Sequence, residues 1–228
     1  MNSTLNESRL DTCLDHLGRL MEYPHAGFND LVDVGQRLVI GAGQARFREF
    51  ADGILELTPD EREELYTSTF DVTPACVPYL GIHLFGEESF KRGEFMAALN
   101  ARFAAAGRDA GIELPDHLAN VLQYAATAEE RRELVQFCLL GPLGKMIRAL
   151  NEINPYRALL EVILATLQEA YPGLEAPLSP LEQMQRGGIG CAVVSAGCGS
   201  CGSVAGEPVT NMPQPVAQVP NPNLTCIV

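Results

Sequence analysis

The chain has 228 residues, of which 46% are hydrophobic, and this length and apolar content suffice for a packed globular core. Its formal net charge of −13 argues against nucleic-acid binding, which needs clustered Lys and Arg, and it favours a basic partner. No apolar run reaches the roughly 20 residues that cross a bilayer, and residues 1–4 lack the character of a signal peptide, so we expect a cytoplasmic protein without membrane insertion.

Apolar residues recur at helical spacing through the N-terminal part of the chain. These stripes predict one helix that stops before Pro24, a second over residues 28–40 and a third that includes Ile54. Thr58-Pro59-Asp60-Glu61 has the pattern of a capping box and begins a fourth helix. After a loop with two prolines, Tyr79 to Gly86 predicts a short apolar helix that the glycine closes.

Glycine and proline mark the boundaries of the next helices. Ser89 is predicted to cap a helix that Gly107 ends. Gly93 indicates the close approach of another backbone or a ligand, because glycine inside a helix costs about 1 kcal/mol relative to alanine. Thr127-Ala128-Glu129-Glu130 predicts a second capping box, and Gly141-Pro142 is expected to break or kink the helix that follows it.

The final predicted helix begins at Asn154-Pro155 and ends at Pro172-Gly173. Since no convincing strand precedes it, the sequence predicts an all-α fold with a single helical-bundle domain over residues 1–173. Residues 174–228 hold seven of the fifteen prolines and no aromatic residue. That composition is typical of a flexible tail rich in Cys, Pro and Gly.

The cysteines fall into two groups. Those in the helical part are predicted to be reduced and mostly buried: Cys13, Cys76 and Cys138. The tail carries the others: Cys191, Cys198, Cys201 and Cys226. A CxxC pair can chelate zinc or an iron–sulfur cluster, but the tail has neither a second close pair nor a histidine. Incidental thiols are the simpler interpretation, and a metal-binding or redox protein acting through the tail is the alternative function.

The stretch from Glu113 to Leu118 sets a carboxylate beside an imidazole at a predicted helix start. Pro115 suits the first helical position, and the helix dipole favours an anion at Asp116. Asp116 and His117 could orient a catalytic base, but no matching nucleophile is evident from the spacing. In the other interpretation the two residues act only locally: the helix dipole stabilises the Asp116 carboxylate, and His117 makes a hydrogen bond to a nearby group.

Four stretches of the chain resemble, in order and spacing, the TorD/DmsD/NarJ family of molybdoenzyme maturation chaperones, and the NarJ type most closely. They are Glu64-Leu65-Tyr66 with Thr69-Phe70-Asp71, Tyr79 to Gly86, Lys91-Arg92-Gly93, and Glu113 to Leu118. The resemblance covers most of residues 5 to 173 and has no counterpart for the tail.

The resemblance implies an all-helical, non-catalytic chaperone. Its partner would be the catalytic (alpha) subunit of a nitrate reductase-type molybdopterin oxidoreductase, bound through the N-terminal segment of that subunit. The chaperone would assist molybdenum cofactor insertion and assembly before membrane attachment or export. No stably bound cofactor is expected, only transient association with a client that carries the molybdenum cofactor.

The resemblance also implies a client-peptide groove. The residues that it assigns to this groove by position are Asp116, His117, Tyr79, His83 and Arg92. We hypothesise that Leu80, Leu84 and Phe85 line an apolar floor, although Leu84 and Phe85 suit a plain core equally well. An acidic body fits a basic, amphipathic peptide that places a few apolar anchors in such a groove.

Overall fold

The computed structural model describes residues 2–186, with side chains from residue 7, and the regular elements in this range are helices. The α-helices are α1 (Asn2–Leu20), α2 (Phe28–Leu38), α3 (Gln44–Leu55), α4 (Pro59–Phe70), α5 (Leu80–Phe85), α6 (Phe90–Ala105), α7 (Leu118–Ala125), α8 (Arg131–Leu134), α9 (Leu140–Ala149), α10 (Pro155–Ala170) and α11 (Pro180–Arg186). A 3-10 turn over Gly41–Gly43 precedes α3, and a π-helical segment over Val135–Leu139 joins α8 to α9. The predicted all-α class is confirmed.

Two sets of helices build the core. Helix α1 packs against α7 and α2, whereas α10 packs against α3 and α9. Leu14 and Leu17 of the predicted α1 stripe are fully buried. Gly18 allows the close approach of α1 to α7, because a Cβ there would lie 2.9 Å from the carbonyl oxygen of Ala119. Helix α5 packs against α6 and carries four of the eight predicted site residues, Leu80, His83, Leu84 and Phe85.

Several helix boundaries follow the sequence signals. Thr58 and Glu61 form the predicted capping box, in which the Glu61 carboxylate accepts a 2.8 Å hydrogen bond from the Thr58 backbone N–H. Gly86 ends α5 with a φ of 93°, a left-handed conformation that favours glycine. The Asn154 side chain caps α10 by accepting a hydrogen bond from the Tyr156 N–H.

One predicted boundary is wrong. Thr127 to Glu130 does not form a capping box, because Glu130 is engaged by Arg102 and Tyr124, and α8 begins only at Arg131. The interruption predicted at Gly141-Pro142 occurs just before the proline, in the π-helical segment that contains Cys138, the residue four positions before Pro142. A proline cannot donate a hydrogen bond to the carbonyl of that residue and its ring clashes with it, which disfavours regular α-helical geometry there.

The close backbone approach predicted at Gly93 is not found, because a Cβ there would meet no atom of the described residues within 4 Å. The alternative, a ligand beside Gly93, stays a prediction. A close approach occurs instead at Gly81 on α5. There a Cβ would lie 2.6 Å from Asp116 Oδ2 and 2.9 Å from Arg92 Cγ.

Residues 174–186, here called the strap, were predicted to belong to the flexible tail, but they lie against the helical body. Leu174 packs on the core, Ser179 is buried, and α11 packs against α5. A domain boundary at residue 173 is therefore too early. The tail cysteines lie outside the described residues: Cys191, Cys198, Cys201 and Cys226.

The cysteines of the helical body agree with the prediction of burial. Cys13, Cys76 and Cys138 are all buried. Burial raises the pKa of the Cys13 thiol to about 11 and that of the Cys76 thiol to about 12. These two thiols are therefore protonated near neutral pH and poor nucleophiles.

Candidate functional site

The Asp116-His117 pair lies just before α7 rather than inside it. His117 is the N-cap of α7, whose first residue is Leu118, so Pro115 does not occupy the first helical position. A short antiparallel bridge joins this segment to the start of α5. The Leu80 N–H donates to the carbonyl of Asp116 at 2.8 Å, and the Leu118 N–H donates to the carbonyl of Pro78 at 3.0 Å. These hydrogen bonds fix the backbone of the segment to α5. Residues 112–118, together with Tyr79 and Arg92, are here called the motif.

The Asp116 carboxylate is paired with Arg92 of α6. Arg92 Nε donates to Asp116 Oδ2 at 2.9 Å, and the two side chains are 11% and 0% exposed. Gly81 leaves the space that this pair occupies. Arg92, rather than the dipole of α7, is therefore the direct partner of the Asp116 carboxylate.

His117 is nearly fully buried and takes a different partner. Its Nδ1 accepts a 3.2 Å hydrogen bond from the Ala119 N–H, which satisfies a donor at the start of α7. Burial lowers the pKa of His117, although the nearby carboxylates of Glu113 and Asp116 oppose this. The ring is therefore neutral at neutral pH, and it meets the ring of Tyr79 edge-on at 5.4 Å between centroids.

Tyr79 connects the buried pair to the surface. Its hydroxyl donates to the Glu113 carboxylate at 3.0 Å, and the guanidinium of Arg92 lies 5.7 Å from its ring centroid. Burial, reinforced by Glu113, raises the pKa of Tyr79 to about 12. The phenol is thus neutral and only partly exposed. The structure brings four predicted site residues together: Tyr79, Arg92, Asp116 and His117.

The other predicted site residues lie elsewhere on α5. The ring of His83 is 2.8 Å from the carbonyl of Val77, and burial lowers its pKa. Leu80, Leu84 and Phe85 are 0%, 4% and 8% exposed and belong to the core. These three side chains form no open floor, and they could line a groove only if α5 or its cover moved.

Three residues that were not among the predicted site residues lie at the surface beside them. Glu113 is exposed, Ile112 is fully exposed, and Leu114 is 44% exposed. The sequence offered one signal of this exposure: Ile112 and Leu114 are apolar residues that do not belong to a helical stripe. The exposed part of the site therefore consists of Ile112, Glu113, Leu114 and the edge of Tyr79, here called the surface patch.

A cleft of about 1130 Å³ lies away from this motif, between the start of α1, the end of α2, the start of α8 and the end of α10. None of the predicted site residues lines it. Its guanidinium groups come from Arg9, Arg131 and Arg132, and its carboxylates from Glu7, Asp11, Glu129 and Glu169. Because both signs of charge are present, the cleft does not favour a simple anion or cation.

The chemistry of the motif does not fit a catalytic dyad. Asp116 is bound to Arg92 and His117 to a backbone N–H, so neither group is positioned to activate the other. Among the described residues, no three His, Cys, Asp or Glu side chains come together to hold a metal ion. Over the same range, no helix combines the length and apolar character that crossing a membrane requires.

Comparison with protein families gives one finding. The model of the family described as nitrate reductase delta subunit matches residues 40–153. This range runs from just before α3 to the loop after α9, and it contains every residue of the motif. No curated protein matches the chain.

Proposed function

Because the chain belongs to the nitrate reductase delta subunit family, which implies a molybdoenzyme maturation chaperone, we propose that it serves a nitrate reductase-type enzyme. The client is the catalytic alpha subunit, bound in the cytoplasm through its N-terminal segment. The chaperone assists molybdenum cofactor insertion before membrane attachment or export, and the cofactor stays with the client. The family match over the whole motif is the observation that carries this proposal.

The surface patch is the part of the motif that contacts the client. Ile112 and Leu114 supply apolar anchoring surface, and Glu113 supplies a carboxylate for a basic side chain. One Leu-sized anchor contributes roughly 1.5–3 kcal/mol, whereas micromolar affinity needs about 8 kcal/mol, so several anchors and charge pairs must act together.

The buried residues of the motif position this patch. Asp116 and Arg92 fix the loop to α6, and His117 fixes it to α7. Tyr79 then holds the Glu113 carboxylate by a hydrogen bond. Pre-organisation of this kind favours binding because less conformational entropy is lost when the client docks.

Titration calorimetry with N-terminal peptides of a molybdoenzyme encoded next to this protein tests the proposal. Ile112→Ser should weaken binding roughly tenfold or more, as expected for loss of one apolar anchor. Ile153→Ser is the matched control, because Ile153 is 89% exposed and lies outside the motif. Equal affinities of the two variants would remove the surface patch from the client interface, and absence of any peptide binding by the wild-type chain would overturn the proposed client segment.

A further inference from the structure

Both ends of α5 are held by segments that are distant in sequence. The N-terminal end is bound by the bridge to Asp116 and Leu118. At the C-terminal end, Lys145 of α9 donates to the carbonyl of His83 at 2.9 Å. The same ammonium group lies 3.3 Å from the Glu182 carboxylate of the strap. Lys145 therefore ties the end of α5 to α11.

The strap makes polar contacts with the helical body in addition to the packing of Leu174 on the core. Ser179 donates from its N–H and its hydroxyl to Glu182 Oε2, each at 2.8 Å, and its hydroxyl lies 3.3 Å from Lys145 Nζ. Gln136 donates to the carbonyl of Glu175 at 3.3 Å. Helix α11 has seven residues and none of them is buried. A helix this short is unstable by itself in water, so it depends on its own Ser179–Glu182 cap and on the contacts with Lys145 and Gln136.

The strap lies against the C-terminal end of α5. Helix α11 packs against α5, and Leu181 Cδ1 would lie 3.8 Å from a Cβ placed on Gly86, the residue after Phe85. Leu84 and Phe85 are buried at this end of α5, where the ring of Phe85 also packs against that of Phe95 of α6 at 5.5 Å between centroids. Partly exposed polar contacts open more readily than apolar packing, because water replaces the hydrogen-bond partners that are lost.

We propose that the strap is a displaceable cover whose release from Lys145 exposes Leu84 and Phe85 as additional apolar surface for the client. The client part of this inference rests on the proposed function, whereas the opening of the strap does not. The surface patch is exposed in the closed state as well, so the open state binds the client more tightly because it adds Leu84 and Phe85 to the contact surface. A ligand that favours the open state must bind more tightly when the closed state is weakened.

Hydrogen exchange of the full chain measures the opening without a client. Glu182→Ala removes the partner of Lys145 and the acceptor for Ser179, so exchange of the strap and of the C-terminal amides of α5 should both accelerate, roughly two- to tenfold. Glu175→Ala is the matched control, since Glu175 contributes its backbone carbonyl to the strap contacts. Faster exchange of the strap with unchanged exchange of α5 would overturn the proposal.

Two further measurements test whether opening of the strap exposes apolar surface and strengthens client binding. Glu182→Ala should increase the fluorescence of an apolar dye such as ANS, because Leu84 and Phe85 become accessible. It should also strengthen binding of the client peptide, by at most the factor measured in hydrogen exchange, because the closed state still binds through the surface patch. Unchanged or weaker binding by Glu182→Ala, when the wild type does bind, would overturn the role in client binding. If the wild type binds no client peptide, the proposed function fails, while exchange and dye binding still decide whether the strap opens.

Discussion

The two ends of α5 are held by ion pairs of different kinds. At the N-terminal end, the Arg92 and Asp116 side chains are 11% and 0% exposed. At the C-terminal end, the Lys145 and Glu182 side chains are 24% and 35% exposed. The first pair is enclosed by the core and lies against Gly81. The second pair is partly exposed to solvent, and its Glu182 belongs to the seven-residue helix α11.

One short helix can therefore have one end that is held firmly, here called the fixed end, and another end whose contacts open easily. A buried ion is destabilising once its partner is removed, so the contact at Asp116 rarely opens. An exposed pair contributes about 0–1 kcal/mol and is screened by salt, so the contact at Glu182 opens at little cost. The following predictions test whether the two ends really differ in this way.

Arg92→Ala should have the largest effect on stability. It leaves the Asp116 carboxylate buried without its cation, and this type of change costs about 3–5 kcal/mol. Urea denaturation gives the free energy of unfolding. Arg19→Ala is the control, because it removes an exposed pair with Asp15 and should cost less than about 1 kcal/mol. Similar losses in both variants would show that the N-terminal end of α5 is not held by a special contact.

Gly81→Ala should have the next largest effect. The new methyl group would lie 2.6 Å from Asp116 Oδ2 and 2.9 Å from Arg92 Cγ, and such overpacking costs about 1–3 kcal/mol. Gly93→Ala is the opposite case, since open space surrounds that position of α6 and alanine favours a helix by up to about 1 kcal/mol. Thermal unfolding of both variants checks the signs. A destabilised Gly93→Ala or a neutral Gly81→Ala would contradict this account of the glycines.

The sequence was sufficient for the features that local chemistry decides. The helical stripe of α1, the Thr58 capping box, the Asn154 cap and the glycine after α5 all depend on residues close together in the chain, and the structure confirms them. The predicted capping box at Thr127 fails because a distant residue, Arg102, takes part in binding Glu130. Long-range partners of this kind leave no local signal.

The candidate site shows the same limit. The sequence pattern identified Asp116 and His117 as candidate site residues. Sequence spacing could not show that Arg92 lies 2.9 Å from Asp116 and pairs with its carboxylate. Periodicity could not separate a groove floor from core at Leu84, because both require apolar residues on one helical face. Helix α11 did leave a local signal, because Ser179-Pro180-Leu181-Glu182 has the same capping pattern as Thr58 to Glu61 and forms the same reciprocal hydrogen bonds. The proline content of residues 174–228 favoured a flexible tail instead, and the contacts of α11 with α5 and α9 could not be read from the sequence.

The pH dependence of stability tests the fixed end through His117. Its pKa in the folded chain lies below the ordinary value of 6.5 because the ring is buried. The unfolded chain therefore gains a proton before the folded chain does, and stability falls as pH drops from about 6.5 through the lowered pKa of His117. His117→Asn keeps an acceptor for the N-cap but cannot titrate, so the decline should be shallower. His25→Asn, at an exposed position, is the control, and equal slopes for both variants would exclude His117 as the source.

Salt should produce the smallest effect and act on one end only. At about 1 M salt the screening length falls to about 3 Å, so the Lys145–Glu182 pair weakens by less than about 1 kcal/mol, while the enclosed pair at Asp116 is little affected. Hydrogen exchange should therefore accelerate in the strap and remain unchanged at Leu118 and Ala119. In the Glu182→Gln variant, the strap amides should exchange faster already at low salt. They should also respond less to added salt, because the carboxylate charge that pairs with Lys145 is gone. An equal response of the two ends would mean that both contacts are screened alike and that α5 has no fixed end.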